Sequence, residues 1–599
     1  MREIMPARIR RFGLAAPLLA VALLLSGLPA SAAGSTPGTA SLSVSKQKIV
    51  YGGHITLSGA VTSDPVCQGG REVDLQGREP GELSWTVLAV HDTASDGSFG
   101  FYRQPVHTSS YRAVLPARVT SDASCASVRS TVVRNTVAVQ VRLRLSPDPV
   151  DAGACSAFTA TLLPSEAGTR VQFQAKAASG WRTLATKLLD SSSKATTSRC
   201  YRWSDIGSIR VQATWPVQNT LNASGSTTAS LRVVKAPWMR KIDTLTAGRN
   251  VSVSVASGNR FLYERADEVA HAPASNEKLL QSMALLDSLG PAYRIQTRAA
   301  ATSAKGGTVR GALWILGRGD PSVGRRAIAA LASRIAAAGI HRVGRVMGST
   351  TFFSHDWWAW GWKSFFPADE VALPSALTYR GNQVRGIHER DPERRAAIAL
   401  TKALKRRGVA VSRRAGSGTP PTGLRLVASV DSPRLKGLLA GQNFDSVNFY
   451  AEVLGKLLGA ARYGAPGTIA KGAAAIRAFA AAHGVHVTAY DSSGLSYRNR
   501  VTPAGMVRLL QVAEGAPWGA ALVATLPWPG RGTLEGRLGG VPLRAKTGTL
   551  QDVSALSGWV QLTRTGTWVR FSIMSSGFAA WKAKDIEDAV VRTLWHYGR

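Results

Sequence analysis

The first third of the chain shows the alternation of apolar and polar side chains that is typical of half-buried β-strands. Clear examples are residues 55–59 and 73–76, which lie between turns rich in Gly, Pro and Asp. The scheme returns about 100 residues later, at residues 158–162 and 171–174. The repetition predicts two tandem all-β sandwiches of the immunoglobulin type, Ig-like module 1 at residues 41–140 and module 2 at residues 141–236.

From residue 237 onwards the pattern changes to mixed α/β. Residues 251–264 predict a β-hairpin, and an amphipathic helix begins near Ser275. Residues 553–574 predict two further strands, followed by a closing helix. We therefore expect an α/β domain at residues 237–599 with a mixed, antiparallel sheet and flanking helices. The strands of this sheet are expected to come from both sequence ends of the domain. An inserted α/β subdomain is expected at about residues 296–430.

The N-terminus has the pattern of an export signal. Four arginines precede an apolar run at residues 14–28, and Ala30-Ser31-Ala32 follows as a small-residue cleavage site. We predict a signal peptide over residues 1–33 and a linker at residues 34–40, with an uncleaved membrane anchor as the alternative. The prediction is a secreted, extracytoplasmic protein of the cell envelope.

The chain has four cysteines, Cys67, Cys125, Cys155 and Cys200, all in the predicted β modules. In an exported chain this number indicates two disulfides, and four cysteines allow three pairings. Pairing of neighbours along the chain would place one bridge in each module. Metal binding is the alternative, but no C-x-x-C motif supports it.

The charge balance is strongly basic, with a formal net charge of +36 from 73 basic and 37 acidic residues. Such a field favours polyanions. For an exported protein these are anionic cell-wall polymers, whereas a nucleic acid partner lacks any recognition motif in the sequence. A dense basic segment at residues 394–414 is predicted to be the solvated face of a helix.

Three short motifs carry candidate chemistry, and the first is Ser275-x-x-Lys278 at the start of the predicted helix. Residues three apart share a helical face, so the amine can take the hydroxyl proton. Other S-x-x-K copies, such as Ser191/Lys194, lie in the β modules, where this spacing places the side chains on opposite faces of a strand.

The second motif is Ser446-x-Asn448 before a helical run, and the third is Lys546-Thr547-Gly548-Thr549 on a predicted strand. In this order the three motifs are the signature of penicillin-binding proteins and serine β-lactamases. The 171 residues between Ser275 and Ser446 leave room for an inserted domain.

The sequence around these motifs resembles the D-alanyl-D-alanine carboxypeptidase/endopeptidase group of class C penicillin-binding proteins, peptidase family S13. The resemblance covers about residues 240–599. The matching segments are residues 272–275, 316–322, 448–452, 493–496, 532–534 and 546–550. The chain departs from the family pattern at Val447, Ser492 and Asp552, and none of these changes removes a reacting group.

The resemblance implies a set of catalytic and substrate-binding residues. The catalytic ones are Ser275, Lys278, Ser446, Asn448 and Lys546, and the substrate-binding ones are Thr547, Gly548 and Thr549. In this family's mechanism Ser275 attacks the penultimate D-Ala carbonyl, and Lys278, kept neutral by burial and by Lys546, accepts the proton. Ser446 relays the proton to the leaving D-Ala, and Lys546 faces the terminal carboxylate. Backbone N–H groups of Ser275 and Thr549 form the oxyanion hole.

The expected function is a serine-type D-Ala-D-Ala carboxypeptidase that acts on peptidoglycan stem peptides, with DD-endopeptidase activity as a further property. β-Lactams are expected to be inhibitors, and no metal or organic cofactor is implied. The alternatives are a β-lactamase and a non-catalytic cell-wall-binding protein.

Overall fold

A computed structural model describes residues 34–597. The predicted signal peptide at residues 1–33 lies outside the described residues. The chain divides into two compact units. Within the described residues, the first comprises residues 34–145, Ala157–Thr197 and Arg210–Ser230, and the second comprises Ser146–Ser156, Ser198–Ile209 and residues 231–597. No helix within residues 34–597 is long and apolar enough to cross a membrane.

Residues 39–234 form β-strands joined by turns. The strands are β1 (Thr39–Ala40), β2 (Ser43–Val44), β3 (Lys48–Val50), β4 (Ile55–Thr62), β5 (Glu72–Arg78), β6 (Thr86–Asp92), β7 (Ser98–Arg103), β8 (Ser109–Leu115), β9 (Arg118–Val119), β10 (Ser124–Cys125), β11 (Val128–Arg129), β12 (Val133–Ala138), β13 (Gln140–Ser146), β14 (Val150–Asp151), β15 (Cys155–Leu163), β16 (Arg170–Ala177), β17 (Gly180–Leu188), β18 (Lys194–Cys200), β19 (Gly207–Trp215) and β20 (Gly225–Val234).

The first unit is built around an apolar core from sheets whose strands pair mostly antiparallel, with β3 and β12 running parallel. Strand β4 pairs with β1, β2 and β7, whereas β5 pairs with β6 and β8. The alternation predicted from the sequence is confirmed, because Ile55, Leu57, Val73 and Leu75 are buried while their neighbours along the strands are more exposed. In the repeated segment, β16 pairs with β17 and β19 in the same antiparallel manner.

The prediction of two disulfides is confirmed, and both join neighbouring cysteines along the chain. One bridge links Cys67 to Cys125 in the first unit. The other links Cys155 to Cys200, and both of these residues belong to the second unit.

Residues 237–597 alternate helices and strands. The helices are α1 (Pro237–Thr246), α2 (Glu277–Leu289), α3 (Arg325–Ala337), α4 (Phe366–Asp369), α5 (Pro392–Lys405), α6 (Leu435–Phe444), α7 (Asn448–Tyr463), α8 (Ile469–Ala482), α9 (Pro503–Gly515), α10 (Gly519–Val523) and α11 (Ala580–Trp595). The strands are β21 (Val251–Ser257), β22 (Arg260–Arg265), β23 (Gln296–Ala301), β24 (Thr308–Leu316), β25 (Arg342–Ser349), β26 (Gln383–Val384), β27 (Ile387–His388), β28 (Ala410–Val411), β29 (Gly416–Gly418), β30 (Arg425–Asp431), β31 (Leu543–Thr549), β32 (Val553–Gln561) and β33 (Trp568–Ser576).

One antiparallel sheet combines strands from the two ends of this region, in the order β22-β21-β33-β32-β31. The predicted hairpin and the predicted pairing of distant strands are therefore confirmed. Strands β32 and β33 are buried on both faces, because α11 and α9 pack on them. A helical core formed by α2, α7 and α8 lies beside the sheet and carries the residues of two of the three motifs.

A second sheet lies between residues 296 and 431, in the order β28-β25-β24-β23-β30. Its central strands β24 and β25 run parallel, whereas β23 is antiparallel to both of its neighbours. Helices α3 and α5 cover the sheet and share one apolar core with it. The basic segment predicted to be helical begins within α5.

Candidate active site

Ser275 lies in a one-turn 3-10 helix, Ala274–Asn276, that leads into α2. The backbone of Ala274 has φ +47°, a left-handed conformation that non-glycine residues adopt only under constraint. The Asn276 amide donates a hydrogen bond to Ser557 Oγ on β32 at 2.9 Å, which ties the turn to the sheet. Ser275 is thereby held half-exposed between the sheet and the helical core.

Two glycines allow other chain segments to approach this turn. A Cβ atom on Gly548 would lie 2.6 Å from Pro273 O and 3.1 Å from the Ser275 backbone nitrogen. Gly494 has φ +81°, and a Cβ atom there would collide with the carbonyl of Ala274. Strand β31 and the loop around Gly494 therefore pack directly on the backbone of the turn.

Lys278 follows one helical turn after Ser275 and is fully buried. Its Nζ lies 2.9 Å from Ser275 Oγ, 2.8 Å from Asn448 Oδ1 and 2.6 Å from the carbonyl oxygen of Ser493. The last two atoms can only accept hydrogen bonds. A neutral amine has two N–H donors for them and one lone pair left, which then faces the Ser275 hydroxyl. This geometry is suited to a general base.

The orientation of Asn448 fits this arrangement. Its amide nitrogen lies 3.3 Å from Glu370 Oε2, so the carbonyl side of the amide faces the lysine and the N–H side faces the carboxylate. Burial lowers the pKa of Lys278 to about 8, although the nearby carboxyl groups of Asp491 and Glu452 act in the opposite direction. A neutral amine is thus accessible near neutral pH.

A second buried lysine, Lys546 on β31, contacts the remaining motif. Its Nζ donates hydrogen bonds to Ser446 Oγ and to the Thr547 carbonyl, both at 2.8 Å. Ser446 has φ +58° and comes two residues before the start of α7. Burial lowers the pKa of Lys546 well below its ordinary value, and the charge of Lys278 lowers it further. The free protein therefore disfavours two ammonium groups at this place.

Behind Lys278 lies a group of buried acids that the motifs did not identify. Glu452 accepts hydrogen bonds from the backbone N–H groups of Ser492 and Ser493, at 3.0 and 2.7 Å. The carbonyl oxygen of the same Ser493 accepts a hydrogen bond from Lys278. Glu452 therefore positions one of the hydrogen-bond acceptors of the catalytic base. Burial and, to a smaller extent, the charge of Asp491 together raise the pKa of Glu452 to about 7.

Glu277 lies beside these acids and differs from them in having no hydrogen-bond partner within the described part of the chain. Both of its carboxyl oxygens are buried and unpaired among residues 34–597. Burial raises the pKa of Glu277 well above its ordinary value, and Asp491 and Glu452 add to the effect. The sequence contained Glu452 and Asp491 within or beside segments that match the family, but only the fold shows that they meet behind the base.

A cleft of about 700 Å³ opens over Ser275. Of the residues expected from the sequence, it is lined by Ser275, Ser446, Asn448, Thr547 and Thr549, whereas Lys278 and Lys546 lie fully buried beneath it. Thr547 Oγ1 is held by Thr533 Oγ1 at 2.7 Å. The structure thus brings all three motifs together at one cleft.

The other walls are formed by residues that were not predicted as site residues, although Leu495, Thr533 and Leu550 lie in segments that match the family. They are Lys363, Phe365, Phe366, Glu370, Leu495, Tyr497, Thr533, Leu550, Gln551, Arg537 and Lys584. Lys363 Nζ donates to Gln551 Oε1 at 2.8 Å and lies 5.1 Å from the ring centre of Tyr497. A run of aromatic residues at positions 357–366 was the available signal for this wall.

Comparison with known proteins identifies the family. The family model described as D-Ala-D-Ala carboxypeptidase 3 (S13) matches residues 240–384 and 370–597, more than half of the chain. The chain belongs to this S13 family. It is therefore a peptidase, and the resemblance seen in the sequence is confirmed.

The matches between this chain and its curated relatives extend over most of the length of those relatives. The chain is 28% identical over 439 residues to a D-alanyl-D-alanine carboxypeptidase of Actinomadura sp., covering 58% of this chain and 81% of the relative. It is 29% identical over 414 residues to carboxypeptidase Rv3627c of Mycobacterium tuberculosis, covering 63% and 85%. Among solved structures, penicillin binding protein 4 from Haemophilus influenzae shares the fold, with a TM-score of 0.53, 20% identity and coverage of 59% of this chain and 99% of that chain.

The departures of this S13 chain from the family pattern are accommodated within the fold. Val447, between the two motif residues, packs against the helical core. Ser492 is buried opposite Gly455 of α7, where a Cβ atom would collide with the Ser492 hydroxyl. The extra side chain at Ser492 is therefore matched by a glycine across the interface.

Proposed function

We propose that the protein is a serine-type D-Ala-D-Ala carboxypeptidase that acts on peptidoglycan stem peptides through an acyl-enzyme on Ser275. The observation that carries the proposal is the 2.9 Å distance between Lys278 Nζ and Ser275 Oγ, with both other partners of the amine being acceptors. Membership of the S13 family and the two carboxypeptidase relatives support the substrate class.

In the acylation step Ser275 Oγ attacks the carbonyl carbon of the penultimate D-Ala, and its proton passes to the lone pair of Lys278. The backbone N–H groups of Ser275 and Thr549 stabilise the negative oxygen that develops, at about 3 kcal/mol for each donor. The C–N bond then breaks, and Ser446 relays the proton held by Lys278 to the leaving D-Ala amine, which returns Lys278 to its neutral form. Asn448 holds both the base and the substrate amide.

Substrate binding itself favours this proton arrangement. The terminal carboxylate of the peptide would lie beside Lys546 and the hydroxyl groups of Thr547 and Thr549. A carboxylate there stabilises the ammonium form of Lys546. That positive charge disfavours a second ammonium at Lys278, so the base becomes neutral when the substrate is in place.

The same acyl-enzyme accounts for the other expected properties. Water hydrolyses it to release the shortened stem peptide, and an endopeptidase reaction differs only in that the leaving amine belongs to a cross-linked neighbour. A β-lactam presents an amide and a carboxylate in similar positions. It should acylate Ser275, and the resulting acyl-enzyme should be hydrolysed slowly. The enzyme is therefore expected to be inhibited by penicillin.

The remaining parts of the chain are assigned from the sequence pattern and the sheets. We infer two Ig-like modules at residues 41–140 and 141–236, and a peptidase domain at residues 237–599. The second sheet, with α3 and α5, supports an inserted subdomain at about residues 296–430. A protein that acts on peptidoglycan works outside the cytoplasm, which agrees with the predicted signal peptide and secretion.

The decisive experiment is labelling of the purified mature protein with a fluorescent penicillin. Wild type should be labelled, Ser275→Ala should not, and Ser191→Ala should behave as wild type because Ser191 belongs to an S-x-x-K copy outside any helix. Release of D-Ala from a stem peptide then tests the reaction. Rapid turnover of nitrocefin would favour a β-lactamase, and an unlabelled folded wild type would favour a wall-binding protein.

A further inference from the structure

A second concave site lies on α3, α5 and the loop between β25 and β26. It has a volume of about 600 Å³, and it shares no lining residue with the catalytic cleft. Five cationic side chains line it, and we call it the basic pocket: Arg325, Arg380, Arg395, Lys402 and Arg406. Between them lie only neutral residues of the pocket wall.

The helical repeat explains why the cations of α5 converge on one wall. Arg395, Lys402 and Arg406 are separated by seven and four residues, which places them on the same face of a helix. Arg325 is the first residue of α3, which packs against α5. A cation in the first turn of a helix faces the positive end of the helix dipole, so helix stability does not explain this residue.

A constrained loop supplies the fourth arginine. Arg380 has φ +51°, and Asn382, two residues later, has φ +52°, a conformation that ordinary side chains rarely adopt. The Asn382 side chain is fully buried and donates hydrogen bonds to the Leu373 carbonyl at 2.9 Å and to Ser375 Oγ at 3.0 Å. The loop that carries Arg380 is therefore built and anchored.

The positive charge of the basic pocket is almost unbalanced. Arg395 has one acidic neighbour, Glu389, at 3.8 Å. Within residues 34–597, no carboxylate lies within 4.0 Å of a cationic nitrogen of Arg325, Arg380, Lys402 or Arg406. The electrostatic repulsion among these like charges decreases when anionic groups enter the cavity.

We propose that the basic pocket binds consecutive phosphodiester groups of an anionic cell-wall polymer. Guanidinium groups match phosphate oxygens with paired N–H donors, and four of the five cations are arginines. From Arg395 to Arg406 the helix extends about 16 Å at 1.5 Å per residue, which is too far for one phosphate and suits a chain of them. This inference does not depend on the proposed catalytic reaction.

The test measures binding of a purified poly(glycerol phosphate) polymer to the full mature protein at several salt concentrations. The variant combines Arg325→Ala, Lys402→Ala and Arg406→Ala. Two of these residues lie within helices, where alanine is well tolerated. If each cation contacts a phosphate, the triple variant should bind about tenfold more weakly or worse, and the slope of log K against log salt should fall by about two to three.

A control variant with the same loss of positive charge distinguishes binding at the basic pocket from attraction by the overall charge of the protein. Arg394→Ala, Lys405→Ala and Arg407→Ala change three exposed residues on or just after α5 that do not line the pocket. This control should bind within about twofold of wild type if the contacts are local. Thermal unfolding of both triple variants is measured to test whether each remains folded.

Three results would overturn the proposal. The two triple variants could weaken binding equally, which would indicate the overall charge and not the pocket. Poly-glutamate could bind with the same dependence on the pocket, which would remove the preference for phosphate. Phosphatidylglycerol vesicles could show that dependence while the polymer does not, which would make the pocket a membrane site.

Discussion

The substitution Gly548→Ala tests how closely strand β31 must approach the nucleophile turn. A Cβ atom at this position would lie 2.6 Å from Pro273 O, 3.1 Å from the Ser275 backbone nitrogen and 3.2 Å from the Ala274 Cβ atom. Carbon–oxygen contacts are ordinarily about 3.3 Å or longer. The turn therefore has to move away from the strand by about 0.7 Å.

The magnitude follows from this displacement. Overpacking of a buried contact typically costs about 1–3 kcal/mol of stability. A shift approaching 1 Å in the position of a reacting atom can reduce the rate by about a hundredfold. We therefore expect Gly548→Ala to fold, to lose about 1–3 kcal/mol in the free energy of unfolding, and to be acylated about 10- to 100-fold more slowly.

The assay is the rate of labelling by a fluorescent penicillin, with urea denaturation as the measure of stability. The matched control is Gly311→Ala on β24, a strand glycine whose added Cβ atom would have no neighbour within 4 Å. A Gly548→Ala protein that is acylated at nearly the wild-type rate would refute the reasoning. An equal loss in Gly311→Ala would show that the effect is not specific to the turn.

Further predictions concern the buried acids and the first disulfide. The acylation rate should rise with pH and level off above about 8, where Lys278 is neutral, and Glu452→Gln should move this rise to lower pH because Glu452 raises the pKa of Lys278. Rapid-quench labelling across pH measures this, and an unmoved or upward-shifted profile would contradict it. Burial raises the folded-state pKa of Glu277, so the folded protein loses stability as pH rises above the ordinary glutamate pKa of about 4.3. Glu277→Gln should therefore raise the free energy of unfolding at pH 7 and change it much less at pH 4, and a loss at pH 7 in urea denaturation would argue against a protonated Glu277. Replacing Cys67 and Cys125 by alanine opens a loop of 58 residues and should cost about 4 kcal/mol by chain entropy, while penicillin labelling stays at the wild-type rate. A matching loss of labelling would show that the first unit is needed for the active site.

The elements that depend on local pattern could be predicted from the sequence. The alternation in β4 and β5 indicates which face is buried because side chains in a strand alternate with a period of two. The pair Ser275 and Lys278 is recognisable because residues three apart meet on a helix, whereas in the other copy Ser191 lies in a turn and Lys194 begins strand β18. The order of the three motifs indicated the family without any knowledge of the fold.

Contacts between distant segments required the tertiary structure. The pairing of four cysteines depends on which strands become neighbours, and the sequence allowed three solutions. That Ser493 presents its carbonyl to Lys278, with Glu452 holding it from α7, depends on a loop more than 200 residues from the base. Local patterns carry no information on such distances.

The charged residues also show which properties the sequence determines and which require the tertiary structure. The sequence alone determined that the protein is strongly basic and where the basic segment lies, because charge is a sum over residues. It could not distinguish a solvated helix face from a pocket, since that depends on Arg325 and Arg380 arriving from other elements. Residue chemistry and hydrophobic periodicity can be read directly from the sequence. Shifts in pKa, close contacts between backbones and binding pockets arise only when packing removes water and brings groups together that are distant in the sequence.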